Sequence, residues 1–463
     1  MATYYVDATA GDDDNDGLST SAPWQTIAKV NAAELSAGDV VLFKRGETWT
    51  GTTLTVPSSG ESGSPIRFAD YGSGARPILD GNDAVVPVVA TEKDYLEFEN
   101  LVATQGVSAG FQFTTCTYVD LVNCDAHDHG NDGILFITAC HHCTVTGGAF
   151  YNGTEAVAGT IVSGLEITNG CHDITFEGVR CYGNDTCGIT VHSHAGETMP
   201  YNVTISRAEC YANGAHGIQV LKQDDTADTD RAITLEYCVS RDNTEDGIRI
   251  YKDAAAANYV DGVTVNRCTC TGNTTYALFV QGDNVTVKHS VFADTDSYFY
   301  EAQGATAYNC TFHNSVVAAG TLYWGGARSE NFTMRNCIVQ CDVAGQVICA
   351  VLTDCGVTGW DVDYTLYRRT AGTEASTQWH YLGTNYDFAD WKTQTGGDAN
   401  SAYGDASFVD ADNDNYHITS DSPAVDAGTD VSLPYAGSAP DMGALEYVAT
   451  PGFGGSLFPG AMI

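Results

Sequence analysis

One short pattern recurs between Ala109 and Gln281, and it narrows the folds open to this chain more than any other feature. It reads Gly110-Phe-Gln-Phe, Gly133-Ile-Leu-Phe, Gly164-Leu-Glu-Ile, Gly188-Ile-Thr-Val, Gly217-Ile-Gln-Val, Gly247-Ile-Arg-Ile and Ala277-Leu-Phe-Val. Successive starts lie 23, 31, 24, 29, 30 and 30 residues apart. A short strand returning at such intervals predicts a coiled repeat, in which stacked coils bury a core that no single coil can bury.

Strand alternation sends the first and third residues after each glycine one way and the second the other. The inward row is then Phe111/Phe113, Ile134/Phe136, Leu165/Ile167, Ile189/Val191, Ile218/Val220, Ile248/Ile250 and Leu278/Val280. The outward row, Gln112, Leu135, Glu166, Thr190, Gln219, Arg249 and Phe279, is the surface on which function is expected. Later strands are predicted at Ser297–Tyr300, Thr321–Trp324 and Gln346–Ile348.

The chain has 463 residues, and because solenoids lengthen along one axis without splitting, one long domain is expected. With 59 acidic residues against 20 Lys plus Arg, the net charge is −39. That balance argues against nucleic acid or an anionic membrane as a partner, since both need a basic face. No apolar run is long enough for a membrane span, and Met-Ala-Thr-Tyr-Tyr-Val has neither the basic nor the apolar region of a signal peptide. The expected location is extracellular, with a leader already removed, or on a virus particle. Of the 16 cysteines, Cys124, Cys181, Cys210, Cys238 and Cys268 fall 6 to 9 residues before a repeat start, which predicts one ladder of buried free thiols.

The N-terminal order Tyr4-Tyr-Val-Asp, Asp12-Asp-Asp-Asn-Asp-Gly17, Pro23-Trp-Gln-Thr-Ile27, Gly38-Asp-Val-Val-Leu-Phe43 and Gly46-Glu-Thr-Trp49 resembles the cap and first coil of bacterial and phage right-handed parallel β-helix proteins. Near the other end, Ser422-Pro-Ala-Val-Asp-Ala-Gly428 and Pro440-Asp-Met-Gly-Ala-Leu-Glu-Tyr447 resemble the closing segment of secreted members of that group. The resemblance implies an all-β, single-stranded right-handed parallel β-helix, and a group rich in polysaccharide lyases, glycoside hydrolases and alginate epimerases. The expected layout is a cap and first coils over 1–80 and a helical core over 81–350. A loop-rich insertion with aromatics follows over 351–404, then closing coils over 405–447 and a Gly-rich tail over 448–463. Ile27–Ala33 is predicted to form a short capping helix. Trp360, Trp379 and Trp391 either offer sugar-stacking faces or pack as a cap.

Asp12, Asp14 and Asp16 copy the first half of a calcium loop, but Pro23 stands where an EF-hand needs its bidentate Glu, so a calcium site and a plain acidic turn are both open. Asp410, Asp412 and Asp414 carry the same ambiguity.

Laying the repeats in register gathers titratable residues on one flank. Asp132, Ser163, Cys187, His216 and Asp246 precede the repeat glycines, Glu166, Gln219 and Arg249 lie on the strands, and His192, Tyr251, Lys222 and Lys252 follow. Strands about 4.8 Å apart would put Asp132, Glu166, His192, His216, Arg249 and Lys252 within reach of one oligosaccharide. Residues before a glycine also serve turns, so Asp132 and Asp246 have a plain structural reading as well.

Two reactions fit. In β-elimination from a uronate, Lys252, Lys222 or His216 would be the base, Arg249 would pair with the carboxylate, and Glu166 with Asp132 would hold calcium. His192, Gln219, Tyr251 and Asp246 would bind substrate. In hydrolysis, two carboxylates flank the scissile bond. His216-Gly217 and Arg249-Ile-Tyr-Lys252 are similar to the His-Gly and Arg-Ile-Lys elements of polygalacturonase-type hydrolases, though an extra residue splits the second and Cys187 replaces the paired aspartates. A non-catalytic glycan-binding fibre or adhesin is the third reading. The oligomeric state is not legible in the sequence.

Overall fold

A computed structural model describes residues 1–155, 160–223, 231–254, 256–314, 321–343, 346–352, 358–370 and 373–448. The Gly-rich tail beyond 448, and Cys355, lie outside the described residues. The chain forms two compact units, residues 1–233 with 253–258, and residues 234–252 with 259–463. The boundary falls inside the stretch that the repeat spacing reads as one continuous core. Coils touch only their sequence neighbours, so a repeat pattern does not say where such a chain divides.

The first unit is a parallel β-solenoid whose coils each supply three strands, as in Ala109–Thr114, Thr117–Val122 and Asp125–His127. Left-handed backbone turns the corners at Thr115, Asn123 and Asp128, with φ of 54°, 51° and 55°. One sheet stacks Leu54–Thr55, Val88–Thr91, Ala109–Thr114, Asp132–Ile137, Ser163–Thr168, Cys187–His192 and Ile218–Lys222, all parallel. Phe111, Ile134, Leu165, Ile189 and Ile218 are register partners down this stack and are fully buried, as their periodicity requires. The helix Ile27–Asn31 opens the fold, capped by the Thr26 side chain and burying Ile27 and Val30.

The second unit stacks Ile248–Lys252, Tyr276–Val280, Asp296–Tyr300, Leu322–Gly325, Cys349–Val351 and Trp379–Tyr381 in parallel, then turns back through the antiparallel strand Thr384–Tyr386. The strand expected at Gln346–Ile348 lies instead at Cys349–Val351, where Cys349 pairs with Leu322 and Trp379. The closing segment packs on the coils of its own unit. Asn336 bonds both the N–H and the carbonyl of Thr429 at 2.8 Å, and Ala424 and Met442 cover Ile338 and Leu366.

Trp379 and Trp391 are fully buried, and Trp360 packs against Trp324, Phe332 and Trp391. Asp398 accepts bonds from Trp391 Nε1 at 2.8 Å, Ser401 Oγ at 2.7 Å and Tyr367 Oη at 3.1 Å. Trp379 and Trp391 therefore belong to packed interior and offer no open faces to sugar, while Trp360 is partly exposed beside them.

The described cysteines are free and buried, but they do not form one ladder. Cys181 and Cys210 pair in register, whereas Cys124 lies two residues ahead of Ala126 in that same register. In the second unit Cys270 pairs with Ser240, so Cys238 and Cys268 likewise fall two residues early. Two residues is a full strand period, which keeps both rows facing the core.

Candidate active site

Three columns of side chains meet in the first unit. Asp132, Ser163 and Cys187 are register partners, and the bond from Gly188 N–H to His216 O continues that column to the next coil. Leu135, Glu166, Thr190 and Gln219 form the second. Thr168, His192 and Leu221 form the third. Asp132, Glu166 and His192 are thus drawn together from three consecutive coils although 34 and 26 residues separate them in the chain.

The outward row was expected to be an open surface. At its middle it is covered: Asp132 is 5% exposed, Glu166 6%, His192 2%, Thr190 0% and Gln219 3%. His192 Nε2 lies 3.1 Å from Glu166 Oε1, a contact held by charge because the ring N–H is not aimed squarely at the oxygen. Its Nδ1 faces Gln223 Oε1 at 3.3 Å. Burial is the largest influence on His192 and opposes its protonation, but the charge of Glu166 together with the hydrogen bonds of Glu166 and Gln223 outweighs it, and its pKa stands above the ordinary histidine value. Asp132 behaves in the opposite sense. Burial first, then the charge and hydrogen bond of Glu166, drive its carboxyl well above the ordinary range. Its Oδ1 is buried without a hydrogen-bond partner.

The sequence placed Ser163, Thr190, Cys187 and Gln219 on this flank without their bonds, and it did not single out His194. Ser163 Oγ donates to Thr190 Oγ1 at 2.8 Å, and Cys187 Sγ donates to Gln219 Oε1 at 2.7 Å, so Gln219 serves to order the site. His194 is exposed and meets His192 edge-on at 4.7 Å between ring centres. Burial of part of the ring and the charge of His192 hold its pKa below the ordinary value, which makes it a neutral imidazole beside a charged one. No repeat offset marks it, because it lies just past the strand. His216 and Lys222 are buried in this unit at 5% and 0% exposure.

Asp246, Arg249, Tyr251 and Lys252 form a group within the second unit. Arg249 Nη1 donates to Asp246 Oδ2 at 2.9 Å, and its guanidinium lies 4.3 Å from the Tyr251 ring and 4.9 Å from that of Phe279. Burial pushes the Asp246 carboxyl up to about 6 against the pull of Arg249. Lys252 Nζ sits 5.0 Å over the Tyr259 ring. Arg249 therefore has the structural employment that its sequence position left open, an ion pair with the residue three positions before it.

The acidic turn expected to hold calcium uses several of its carboxylate oxygens within the turn. Asp12 Oδ1 accepts the Asp14 N–H at 2.9 Å, Asp16 Oδ1 accepts the Leu18 N–H at 3.0 Å, and Asp13 between them receives Gln25 and Thr26. These carboxylates cap their own turn. Among the described residues no three His, Cys, Asp or Glu side chains converge on a metal position.

The chain matches the model of the right-handed β-helix region over residues 88–262 and 227–358. It belongs to that family. Among curated proteins it is similar to lacto-N-biosidase of Bifidobacterium longum subsp. longum, 30% identical over 135 residues, which is 27% of this chain and 8% of that protein's length. Among solved structures it is similar to a pectate lyase, 18% identical over 96% of each chain with a TM-score of 0.47. It is also similar to the lacto-N-biosidase of Eubacterium ramulus, 13% identical over 87% of this chain and 67% of that one, with a TM-score of 0.43.

Proposed function

We propose that this protein is a carbohydrate-active enzyme that cleaves a polysaccharide at the Asp132–Glu166–His192 centre, by β-elimination at a uronate. The observation that carries this reading is the buried Asp132 carboxyl, pushed well above its ordinary range by burial and by Glu166, whose Oδ1 has no hydrogen-bond partner beside the Glu166–His192 pair. A carboxyl group held neutral in a strained electrostatic setting suits general acid work, and structural turn residues have no need of it. Asp132 would protonate the leaving oxygen. The imidazolium of His192 would face the uronate carboxylate, and a neutral imidazole, His194 or His216, or alternatively Lys222, would remove the proton α to it.

The hydrogen bond between Asp132 and Glu166 weighs against hydrolysis, because both glycosidase geometries need carboxyl groups about 5 Å or more apart. Hydrolysis of a neutral oligosaccharide is the second reading, favoured by the 30% identity to a lacto-N-biosidase over 135 residues. A polymeric sugar substrate places the enzyme outside the cell. Incubating the protein with polygalacturonate, alginate and galactan, while following new reducing ends and the ultraviolet absorbance of an unsaturated uronate, separates the readings. Both signals together are expected; reducing ends alone would establish hydrolysis, and neither signal on any polymer would end the enzymatic reading.

A further inference from the structure

The tryptophans of the second unit are interior, but a different set of its aromatic rings is not. Phe279, Tyr298 and Tyr323 are register partners on the outward side of three successive strands, each partly exposed. Their ring centres lie 5.8 Å apart at both steps, and Tyr276 and Tyr300 widen the patch at 5.8 and 5.5 Å from Tyr298. Down the same column, Tyr323 is followed by Ala350 and then His380. The small alanine between two rings opens a shallow hollow of about 630 Å³, lined by Tyr323, Ala350, Leu352, His380, Thr384 and Asn385 among others. The hairpin of Trp379–Tyr381 and Thr384–Tyr386 forms its far wall.

Three features give the hollow a ligand chemistry. Among the described residues its lining contains no Asp, Glu, Lys or Arg, in a chain whose net charge is −39, so neither a carboxylate nor a phosphate finds a counter-charge among them. Tyr323 Oη is buried without a hydrogen-bond partner, a donor that only a ligand or solvent would satisfy. His380 Nδ1 lies 2.7 Å from Asn385 Oδ1, which fixes the imidazole and leaves Nε2 for the hollow. The position of Tyr298 is protected as well, since a Cβ at Gly325 would lie 2.7 Å from Tyr298 Oη.

Aromatic rings set edge-to-face, at 89° and 64° to one another along the column, beside uncharged donors and acceptors match sugar rings, which present C–H groups on their faces and hydroxyls on their rims. We propose that this face of the second unit is a carbohydrate-binding site for neutral sugar residues. Tyr298 and Tyr323 stack on the ring, while Tyr323 Oη, His380 and Asn385 bond its hydroxyls. The site does not depend on the reaction proposed for Asp132 and takes a different class of sugar, neutral where that centre takes a uronate.

Affinity electrophoresis tests this with the Asp132→Asn protein, run beside the wild type so that cleavage does not confound migration, in gels containing galactan, xylan, polygalacturonate or alginate. Retardation by galactan or xylan is expected. Tyr298→Ala should weaken it roughly tenfold, the effect of losing one stacking ring, and Tyr323→Phe, which keeps the ring and removes only Oη, should weaken it less but measurably. Thermal unfolding unchanged from the parent verifies that both variants fold. Migration of Tyr298→Ala identical to the parent, retardation by the uronate polymers alone, or no retardation in any gel would each overturn the proposal. Retardation that persists when no polymer is cleaved would sink the enzymatic reading and leave this site standing.

Discussion

The acid role proposed for Asp132 rests on surroundings that oppose its ionisation: burial removes solvent, and Glu166, in contact with His192, adds a carboxyl at its side. Asp132→Asn keeps the shape and removes the transferable proton, so turnover should fall roughly 100- to 10,000-fold on the best polymer. The same variant makes a pH prediction whose sign follows from linkage. The unfolded chain releases the Asp132 proton near the ordinary value of about 4, while the folded chain keeps it. Wild-type stability therefore declines as pH rises above about 4, and the asparagine variant escapes this loss. The melting-temperature advantage of Asp132→Asn should grow between pH 4 and 7; a constant difference would mean that Asp132 is ionised in the fold. Arg249 supports the fold locally. Arg249→Ala leaves the buried Asp246 without that counter-charge and should cost about 2 kcal/mol in denaturant unfolding, with turnover changed severalfold at most. Full stability with lost turnover would return Arg249 to the catalytic group.

At the scale of the element, the turns carry as much specification as the strands. Asn184 and Asn213 are buried at 1% and 0% exposure at equivalent corners of adjacent coils. Asn213 Oδ1 accepts from the Asn184 amide at 3.2 Å and side chain at 3.1 Å, and Asn213 Nδ2 donates to Cys181 O at 3.2 Å. Asn243 and Asn273 repeat the motif within the second unit, at 3.2 and 2.9 Å. A ladder of this kind satisfies backbone groups that a tight corner would otherwise bury unpaired. Asn213→Ala should lower stability by about 2 kcal/mol in denaturant unfolding, whereas a change below about 0.5 kcal/mol would show that solvent replaces the lost bonds.

For the whole molecule, the buried thiols set an expectation that differs from the usual one for an exported protein. Cys124, Cys143, Cys181, Cys210 and their neighbours are buried thiols outside any disulfide, and burial pushes the Cys124 thiol up to about 12. Thiols in this state react through a scarcely populated thiolate and from inaccessible positions. Reductant should leave the unfolding midpoint unchanged, and a thiol reagent should label these cysteines only after denaturation. Rapid labelling of the native protein, or a midpoint lowered by reductant, would contradict the packing.

The glycine-strand repeat was enough, read alone, to determine the coil, the inward row from Phe111 to Val280 and the flank that carries the titratable residues, because strand alternation ties a side chain's face directly to its parity. The division into two units could not be read, since a repeat specifies contact with the next coil and nothing about where packing weakens. Nor could the burial of Glu166 and Gln219, which strand parity alone places on the outward side. The state of Asp132 belongs to the tertiary structure alone. An aspartate before a glycine is a turn residue in any sequence, and it becomes an acid here because residues 34 and 60 positions further along fold back to deny it solvent and set a carboxylate and its imidazole partner at its side.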